Sequence, residues 1–221
     1  MPYRHLTLFS AAILLLMLGA SVAAGLHLPA DTMLPVHWDI TGTPDRFAEK
    51  WNALLTLPAV TLFVAGLFAV LPAIEPMQDG LRRSAGLYTL TWGATVVVMA
   101  VAHGMTMAVA LGWPVPVSAI MMLLVGGLLI VVGNQLAKSR RMFFIGIRTP
   151  WTLADEDVWI ATHRLGGRLM MACGLAFWIV AIGQPDPATA APFVIAALGA
   201  TVIVPVAYSY ILWRRKFRQA G

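Results

Sequence analysis

Two segments of the chain concentrate the residue types that can bind ions, peptides or other polar ligands. In residues 34–51, called the first segment, one histidine and three acidic residues alternate with aromatic residues and turn formers. Residues 138–167, the second segment, combine arginines, one histidine, three consecutive acidic residues and two tryptophans. Neither contains a nucleophile–base pair, a phosphate loop or a cofactor fingerprint. The sequence therefore favours a binding function over catalysis, and no cofactor is expected.

Turn-forming residues in the first segment predict a structured connection. Gly42 tolerates positive φ and Pro44 fixes φ, and we expect Asp45 to cap a short helical piece that follows. Trp38 suits a membrane–water interface, so the segment is expected to lie along the membrane surface. The candidate ligand-binding residues in this segment are His37, Trp38, Asp39, Gly42 and Asp45.

An alternative function for the same region is metal binding. Imidazole nitrogens and carboxylate oxygens are zinc ligands, and they are present in His27, His37, Asp39 and His103. No HExxH-type spacing fixes two of these ligands on one helical face. Because His103 is an ionisable residue within an apolar run, it is either a functional residue or a neutral histidine that bonds to a neighbouring helix.

The second segment contains a helix-start pattern and a strong candidate for anion recognition. Thr152 and Asp155 have capping-box spacing, which predicts a helix from about Leu153 with three acidic residues in its first turn. The planar guanidinium of Arg148 suits a carboxylate, either in the cluster 155–157 or on a partner. The candidate partner-binding residues here are Asn134, Gly146, Arg148, Thr149, Pro150, Trp151, Trp159, His163 and Arg164.

Composition identifies the elements that must position these segments. The chain has 221 residues, of which 59% are hydrophobic and only 11% are charged, far from the balance of a soluble domain. Apolar runs of helical membrane-spanning length occur at residues 6–28, 54–74, 85–111, 117–137, 165–183 and 192–213. We expect an all-α integral membrane protein with about six transmembrane helices, the first of them a span rather than a cleaved signal peptide. Glycines at 126, 127 and 133 predict close approach of the fourth helix to a neighbour.

Basic residues set the expected orientation. If the N-terminus is cytoplasmic, 13 of the 15 Lys and Arg residues fall on the cytoplasmic side. Both termini and the second segment are then inside, and the first segment is outside. The net charge of +5 is explained by this topology, so direct nucleic-acid binding is not expected. We expect a two-helix module at residues 1–75 and a four-helix module at residues 76–221.

Both segments together resemble the SdpI family of bacterial membrane proteins. That family carries a Leu-Pro-x-x-His-(Trp/Phe)-(Asn/Asp)-x-x-Gly-x-x-Asp type pattern, which residues 34–45 match with small differences in spacing. It also carries Gly-Asn, Gly-Ile-Arg-Thr-Pro-Trp-Thr-Leu and Val-Trp-x-x-Thr-His-Arg-x-x-Gly, found here at residues 133–134, 146–153 and 158–167. Met142-Phe143 departs from an Asn-x-Phe often seen in the family.

This resemblance implies a multi-pass protein of the bacterial cytoplasmic (inner) membrane. It further implies immunity to a secreted antimicrobial peptide outside, combined with signal transduction through a cytoplasmic repressor that is held at the bilayer. The alternative from the histidines and the carboxylates of the first segment is a metal-dependent or proton-coupled membrane enzyme or transporter, with a divalent metal as a possible cofactor.

Overall fold

The elements of the chain follow from a computed structural model that describes residues 3–39 and 42–220, without the side chains of residues 187, 188, 219 and 220. Helices dominate, and one pair of strands interrupts them. In chain order the elements are α1 (Arg4–His27), β1 (Met33–Trp38), β2 (Pro44–Glu49), α2 (Lys50–Ile74), α3 (Gln78–Arg83), α4 (Ala85–Ala110), α5 (Val117–Leu136), α6 (Pro150–Ala154), α7 (Glu156–Gly183) and α8 (Pro187–Ala220).

Six of these helices, α1, α2, α4, α5, α7 and α8, are long and apolar enough to cross a membrane. The prediction of an all-α membrane protein with six spans is therefore confirmed, with the small β1–β2 hairpin as an addition. Most helix bounds lie within a few residues of the predicted spans. The exceptions are α7, which begins at Glu156 rather than at residue 165 because the polar residues before the apolar run are already helical, and α8, which extends from Pro187 to Ala220 rather than from residue 192 to 213.

The packing order places the two segments at opposite ends of the bundle. Helices α1, α2 and α4 contact one another, α4 contacts α5, α5 contacts α7, and α7 contacts α8. The end that carries the hairpin, called the hairpin face, also includes residues 111–116 and 184–186. The opposite end, called the loop face, includes residues 75–84 and 137–155, the start of α1 and the end of α8.

Helices α5 and α7 approach each other at four glycines. A Cβ added at Gly133 would lie 2.7 Å from the carbonyl oxygen of Gly167, and one at Gly174 would lie 2.4 Å from that of Gly126. Only glycine fits such backbone-to-backbone contact, which is common between membrane helices. The predicted close approach is confirmed for Gly126 and Gly133, whereas a Cβ at Gly127 meets only the Trp178 ring at 3.8 Å.

Pro58 lies inside α2 and interrupts its hydrogen bonding. Proline has no N–H, so the carbonyl oxygen of Leu54, four residues earlier, lacks its usual helical hydrogen-bond donor. The hydroxyl of Ser21 in α1 donates to this oxygen at 2.8 Å, and both residues are fully buried. A neighbouring helix thus satisfies the polar group that the proline leaves open, as membrane helices require.

At the second proline of α2, Pro72, a side chain of a neighbouring helix again supplies the missing hydrogen-bond donor. It removes the helical donor for the carbonyl of Phe68, and the buried Tyr88 hydroxyl of α4 donates to that oxygen. The Phe68 ring also stacks on Trp92 of α4. Both irregular points of α2 are therefore fixed by side chains of the helices beside it.

A core of large side chains lies toward the loop face. It contains the buried residues Leu81, Leu87, Tyr88, Trp92, Val96, Leu136, Met142 and Trp159. Trp92 donates its indole N–H to Ser10 of α1 at 2.9 Å, which satisfies the polar atom that such a residue carries into a core. Residues of the second segment, Met142 and Trp159, are thereby packed into the same core as α4.

Candidate functional site

The first segment forms an antiparallel hairpin, with Met33 opposite Glu49 and Trp38 opposite Pro44. The prediction that Asp45 caps a short helix is wrong, because residues 44–49 pair as a strand with β1. The Asp45 carboxylate instead contacts Nδ1 of His37 at 2.6 Å. Two of the candidate ligand-binding residues are therefore brought together, on an exposed surface.

The turn of the hairpin is held by Asp39. Its backbone N–H donates to the carbonyl of Thr43, and its carboxylate accepts the Thr43 N–H, both at 2.9 Å. Gly42 has a φ of +84°, which confirms the predicted positive value. A Cβ at Gly42 would lie 2.0 Å from the Ser118 hydroxyl oxygen, so the turn packs against the first residues of α5.

The base of the hairpin is anchored to α1. Lys50 is buried and donates its ammonium to the carbonyl of Leu28 at 2.9 Å, and its backbone N–H donates to Thr32. The Trp51 ring occupies the space beside Gly25 of α1. The hairpin is therefore fixed at its base, and its turn reaches across to α5.

Beneath the hairpin lies a cavity of about 500 Å³ between α2, α4 and α5. One wall is the β1 strand with Val36, His37, Trp38 and Asp39. The helical walls are formed by Ala53, Thr56, Leu57, Ala102, Met105, Thr106, Val117, Ser118, Met121 and Met122. This volume lies within the range of small-molecule binding pockets, which is roughly 300–1,000 Å³.

The three histidines among the candidate metal ligands lie at separate places, and Asp39 lies in the same hairpin as His37. His27 bonds to the Ala23 carbonyl within its own helix, His37 contacts Asp45, and His103 is buried among the helices. Within residues 3–39 and 42–220, no group of three or more His, Cys, Asp and Glu side chains could hold a metal ion. The structure therefore does not assemble the site that the metal-binding alternative requires in these residues.

His103 belongs to the polar contacts around Pro58. Its Nε2 lies 3.1 Å from the Met17 carbonyl oxygen and 3.2 Å from the Ser21 hydroxyl, which itself donates to Leu54. Since a carbonyl oxygen only accepts, Nε2 carries a proton and donates it, whereas the buried Nδ1 has no hydrogen-bond partner among the described residues. The predicted hydrogen bond of His103 to a neighbouring helix is confirmed, and a functional role for this residue stays a prediction.

In the second segment, the predicted capping box is displaced by one turn. Thr149 is the N-cap of α6, and it exchanges hydrogen bonds with Thr152, which is the third residue of that helix. Pro150 occupies the first helical position, which suits its fixed φ. The prediction of a capping box between Thr152 and Asp155 was therefore wrong, because Thr152 already forms the capping box of α6 with Thr149.

Asp155 begins the next helix instead. Its carboxylate accepts the N–H groups of Asp157 and Val158 at 2.9 and 3.1 Å, so it caps α7. It also accepts a hydrogen bond from Lys216 of α8 at 2.6 Å, and this bond lowers the pKa of Asp155 below its ordinary value. A salt bridge between Asp155 and Lys216 thus connects the N-terminus of α7 to the end of α8.

Arg148 does not pair with the acidic cluster 155–157, contrary to one of its two predicted roles. Its guanidinium donates to the Phe143 carbonyl at 3.1 Å, and the side chain is exposed. Lys216 binds Asp155 and Asp157, while Arg140 lies 3.9 Å from Glu156. The other predicted role, contact with a partner's acid, remains a prediction.

Gly146, Trp159 and His163 form the centre of the second segment. The His163 ring stacks on Trp159 at 3.8 Å between centroids, and its Nε2 accepts the N–H of Ile147 at 2.9 Å. Gly146 has a φ of +122°, and a Cβ there would lie 2.6 Å from His163 Nε2. His163 is fully buried, so this motif positions the loop rather than presenting a titratable surface group.

Trp151 connects α6 to α8. Its indole N–H donates to the Ser209 hydroxyl, and its ring contacts those of Tyr210 and Trp213. By contrast, Asn134 and Arg164 are exposed on α5 and α7. The motif residues of the second segment therefore divide into a buried set that shapes the loop and an exposed set that could meet a partner.

Sequence reasoning missed Glu75, the residue after α2. It is buried, and its carboxylate accepts the N–H groups of Met77 and Phe143 on Oε1, at 2.9 and 2.8 Å, and that of Phe144 on Oε2 at 3.0 Å. The signal available in the sequence was a single acid directly after an apolar run and before Pro76. Glu75 couples α2 to the second segment.

A charged cleft of about 410 Å³ lies beside Glu75 on the loop face. Its walls include Asp79, Arg83, Arg140, Arg141 and Glu156. Arg141 donates to the Leu153 and Ala154 carbonyls, which end α6. Cations satisfy the free carbonyls at a helix C-terminus, so this arginine also holds the loop in place.

Comparisons with known proteins find matches that include both segments. Residues 138–209 match the SdpI/YfhL protein family, and residues 12–62 match a domain of unknown function, DUF1648. The chain is 25% identical over 184 residues to "Immunity protein SdpI" of Bacillus subtilis (strain 168), which covers 83% of this chain and 85% of that protein. The resemblance predicted from the two segments is thereby confirmed. No solved structure matches the chain.

Proposed function

We propose that this multi-pass membrane protein, similar to the SdpI/YfhL family over residues 138–209, is an immunity protein of the bacterial cytoplasmic membrane. The observation that carries the proposal is the similarity to an immunity protein over 83% of the chain. An alignment of 184 residues is too long to leave out both the hairpin and the second segment, so it includes at least part of one of them. Protection against a secreted, membrane-active peptide is the activity that we infer.

The charge distribution supports an outward hairpin face. The loop face and the first half of α7 together carry 13 of the 15 basic residues, whereas the hairpin face carries only Arg46 and Lys50. Basic residues are retained on the cytoplasmic side of bacterial membrane proteins. In this orientation the hairpin is the part that a secreted peptide meets first, with Phe47 and Trp51 exposed on it.

We further propose that the loop face binds a cytoplasmic regulator. The exposed Arg148 and Arg164 and the charged cleft at Arg140 offer guanidinium groups for acidic side chains of a partner. Glu75 supports a link between the two faces, since α2 starts directly after β2 and ends at this carboxylate. Binding outside could thereby alter the loop inside.

The test is protection of sensitive cells. The chain is expressed in a bacterium without a related gene, and growth is measured against a panel of membrane-active peptides. We expect a higher inhibitory concentration for at least one peptide. Gly42→Val, which places a side chain against Ser118 in a positive-φ turn, should abolish protection, and Gly66→Ala, where a Cβ meets nothing within 4 Å, should not.

Membrane levels of both variants are compared by immunoblot, so that loss of protein is not mistaken for loss of activity. Unchanged inhibitory concentrations for every peptide tested, at normal protein levels, would refute the immunity proposal. For the regulator, Arg148→Glu should abolish a peptide-dependent transcriptional response while protection persists. If the transcriptional response is the same for Arg148→Glu and for the original chain, the proposal that the loop face binds a regulator is contradicted.

A further inference from the structure

We propose that the cavity beneath the hairpin binds the apolar side chains of a cationic amphipathic peptide. This inference rests on the proposed function, and it adds the location of the site and the chemistry of the ligand. The hairpin is the wall of this cavity that is not helical. The remaining walls belong to α2, α4 and α5.

The interior of the cavity is apolar and adaptable. Met105, Met121 and Met122 line it together with small residues such as Ala53 and Ala102. Methionine side chains are unbranched and polarizable, so a surface rich in methionine adapts to ligands of different shape. A volume of about 500 Å³ fits large aliphatic or aromatic side chains rather than an ion.

The wall formed by the hairpin is polar and carries charge. His37 and Asp39 line the cavity, and Asp45 contacts His37 from the opposite strand. Asp45 is 46% exposed on its side chain, so it is accessible to a ligand. An apolar interior with a few polar groups at one side is the typical composition of a ligand pocket.

Charge complementarity selects the class of ligand. The hairpin face contains the acidic residues Asp31, Asp39, Asp45, Glu49 and Asp186. Its two basic residues are Arg46 and Lys50, and the Lys50 ammonium is buried against the Leu28 carbonyl. The formal charge of this face is therefore −3, on a chain whose total is +5. A negative surface favours a cationic partner and repels anionic lipid headgroups.

A binding measurement tests this site directly. The chain is placed in phosphatidylcholine nanodiscs, and the anisotropy of a fluorescein-labelled Leu/Lys amphipathic peptide is measured against empty nanodiscs. Ala102→Phe on α4 and Thr56→Phe on α2 fill the cavity from different walls. The matched control is Gly104→Phe on α4, where an added Cβ meets nothing within 4 Å.

We expect the Leu/Lys peptide to bind the protein beyond the lipid background, and each cavity-filling variant to weaken this binding by about tenfold or more. Gly104→Phe should bind as the original chain does, and a Leu/Glu peptide should not bind. Asp39→Asn keeps an oxygen for the Thr43 N–H but removes the charge, and it should weaken binding about fivefold.

Equal binding by the original chain and both filled variants would overturn the proposal, as would binding no greater than that of empty nanodiscs. Preference for the Leu/Glu peptide would overturn the charge argument. If the chain protects cells and Ala102→Phe, present at the same level, protects them equally, the cavity inference fails and the proposed function stands. If the filled variants lose peptide binding but the original chain never protects cells, the proposed function fails.

Discussion

The carboxylate of Glu75 accepts the backbone N–H of Phe143 at 2.8 Å, so the loop-face end of α2 is bonded to the segment that leads to α6. The other end of α2 follows β2 without a gap, since β2 ends at Glu49 and α2 begins at Lys50. Helix α2 therefore connects the hairpin at one end to the second segment at the other.

Removal of the Glu75 carboxylate should release the loop. Glu75→Ala leaves the Phe143 and Phe144 N–H groups without this acceptor, and we expect a loss of about 2–3 kcal/mol in stability. Glu75→Gln should cost less, because it keeps one oxygen. The readout is the rate of trypsin cleavage after Arg140 and Arg141 in detergent, together with unfolding in sodium dodecyl sulfate. Asp79→Asn, at an exposed acid, is the control, and equal cleavage rates in all four proteins would contradict the prediction.

The bond from Ser21 to the Leu54 carbonyl should depend on Pro58. Ser21→Ala should destabilise the protein by about 1 kcal/mol, because it leaves a buried acceptor unsatisfied. In a Pro58→Ala background, residue 58 regains an N–H for that carbonyl, so the cost of Ser21→Ala should fall. A double-mutant cycle of unfolding free energies measures the difference. Strict additivity would show that the hydroxyl does not compensate for the proline.

Glycines at the contact of α5 and α7 should not tolerate even one methyl group. Gly133→Ala places a Cβ 2.7 Å from a backbone oxygen, and we expect destabilisation of about 1–3 kcal/mol. Gly66→Ala has open space and a better helix former, so it should be neutral or slightly stabilising. Thermal unfolding in detergent compares the two variants. A similar midpoint for both would be inconsistent with this contact.

The bond from Lys216 to Asp155 should give an acid-dependent contact between α7 and α8. The pKa of Asp155 is lowered in the fold, so its stabilisation is present above the unfolded value of about 3.9 and is lost as the pH falls through the lower folded value. In a Cys173→Ala background, a spin label at residue 215 should show constant mobility from pH 8 to about 5 and greater mobility at more acidic pH. Asp155→Asn should remove part of this transition, and an identical transition in that variant would refute the assignment.

The orientation of the chain should be visible by cysteine labelling. With Cys173 replaced by alanine, Arg46→Cys in β2 should react with a membrane-impermeant maleimide on intact cells. Arg215→Cys in α8 should react only after the membrane is permeabilised. The reverse result would invert the assignment of the hairpin to the exterior.

The spans could be predicted from the sequence because length and hydropathy decide them. A helix that crosses hydrocarbon must bond its own backbone, so long apolar runs have one outcome, and the bounds of α2 and α4 follow. Hydropathy placed the start of the fifth span at residue 165 because the first turns of α7 are polar, whereas the helix-start pattern predicted a helix from about Leu153, three residues before the observed start. Hydropathy cannot distinguish such residues from a loop, whereas the cap at Asp155 does.

The candidate site was predicted less completely. Gly42 was recognised because positive φ is a local property of one residue. The helix cap at Asp45 was wrong, since a hairpin depends on pairing between residues 33 and 49, which a local turn pattern does not determine. Glu75 was missed for a similar reason, because its partners at residues 143 and 144 are distant in the sequence.

The four glycines between α5 and α7 also restrict how this protein can diverge. In an ordinary core, a larger residue on one helix can be accommodated by a smaller residue on the other. Here the atoms opposite Gly126, Gly133, Gly167 and Gly174 include carbonyl oxygens, which are the same for all twenty amino acids. No second-site replacement can remove them. Related chains that keep this helix pair should therefore conserve each of these positions independently, with no covariation between them.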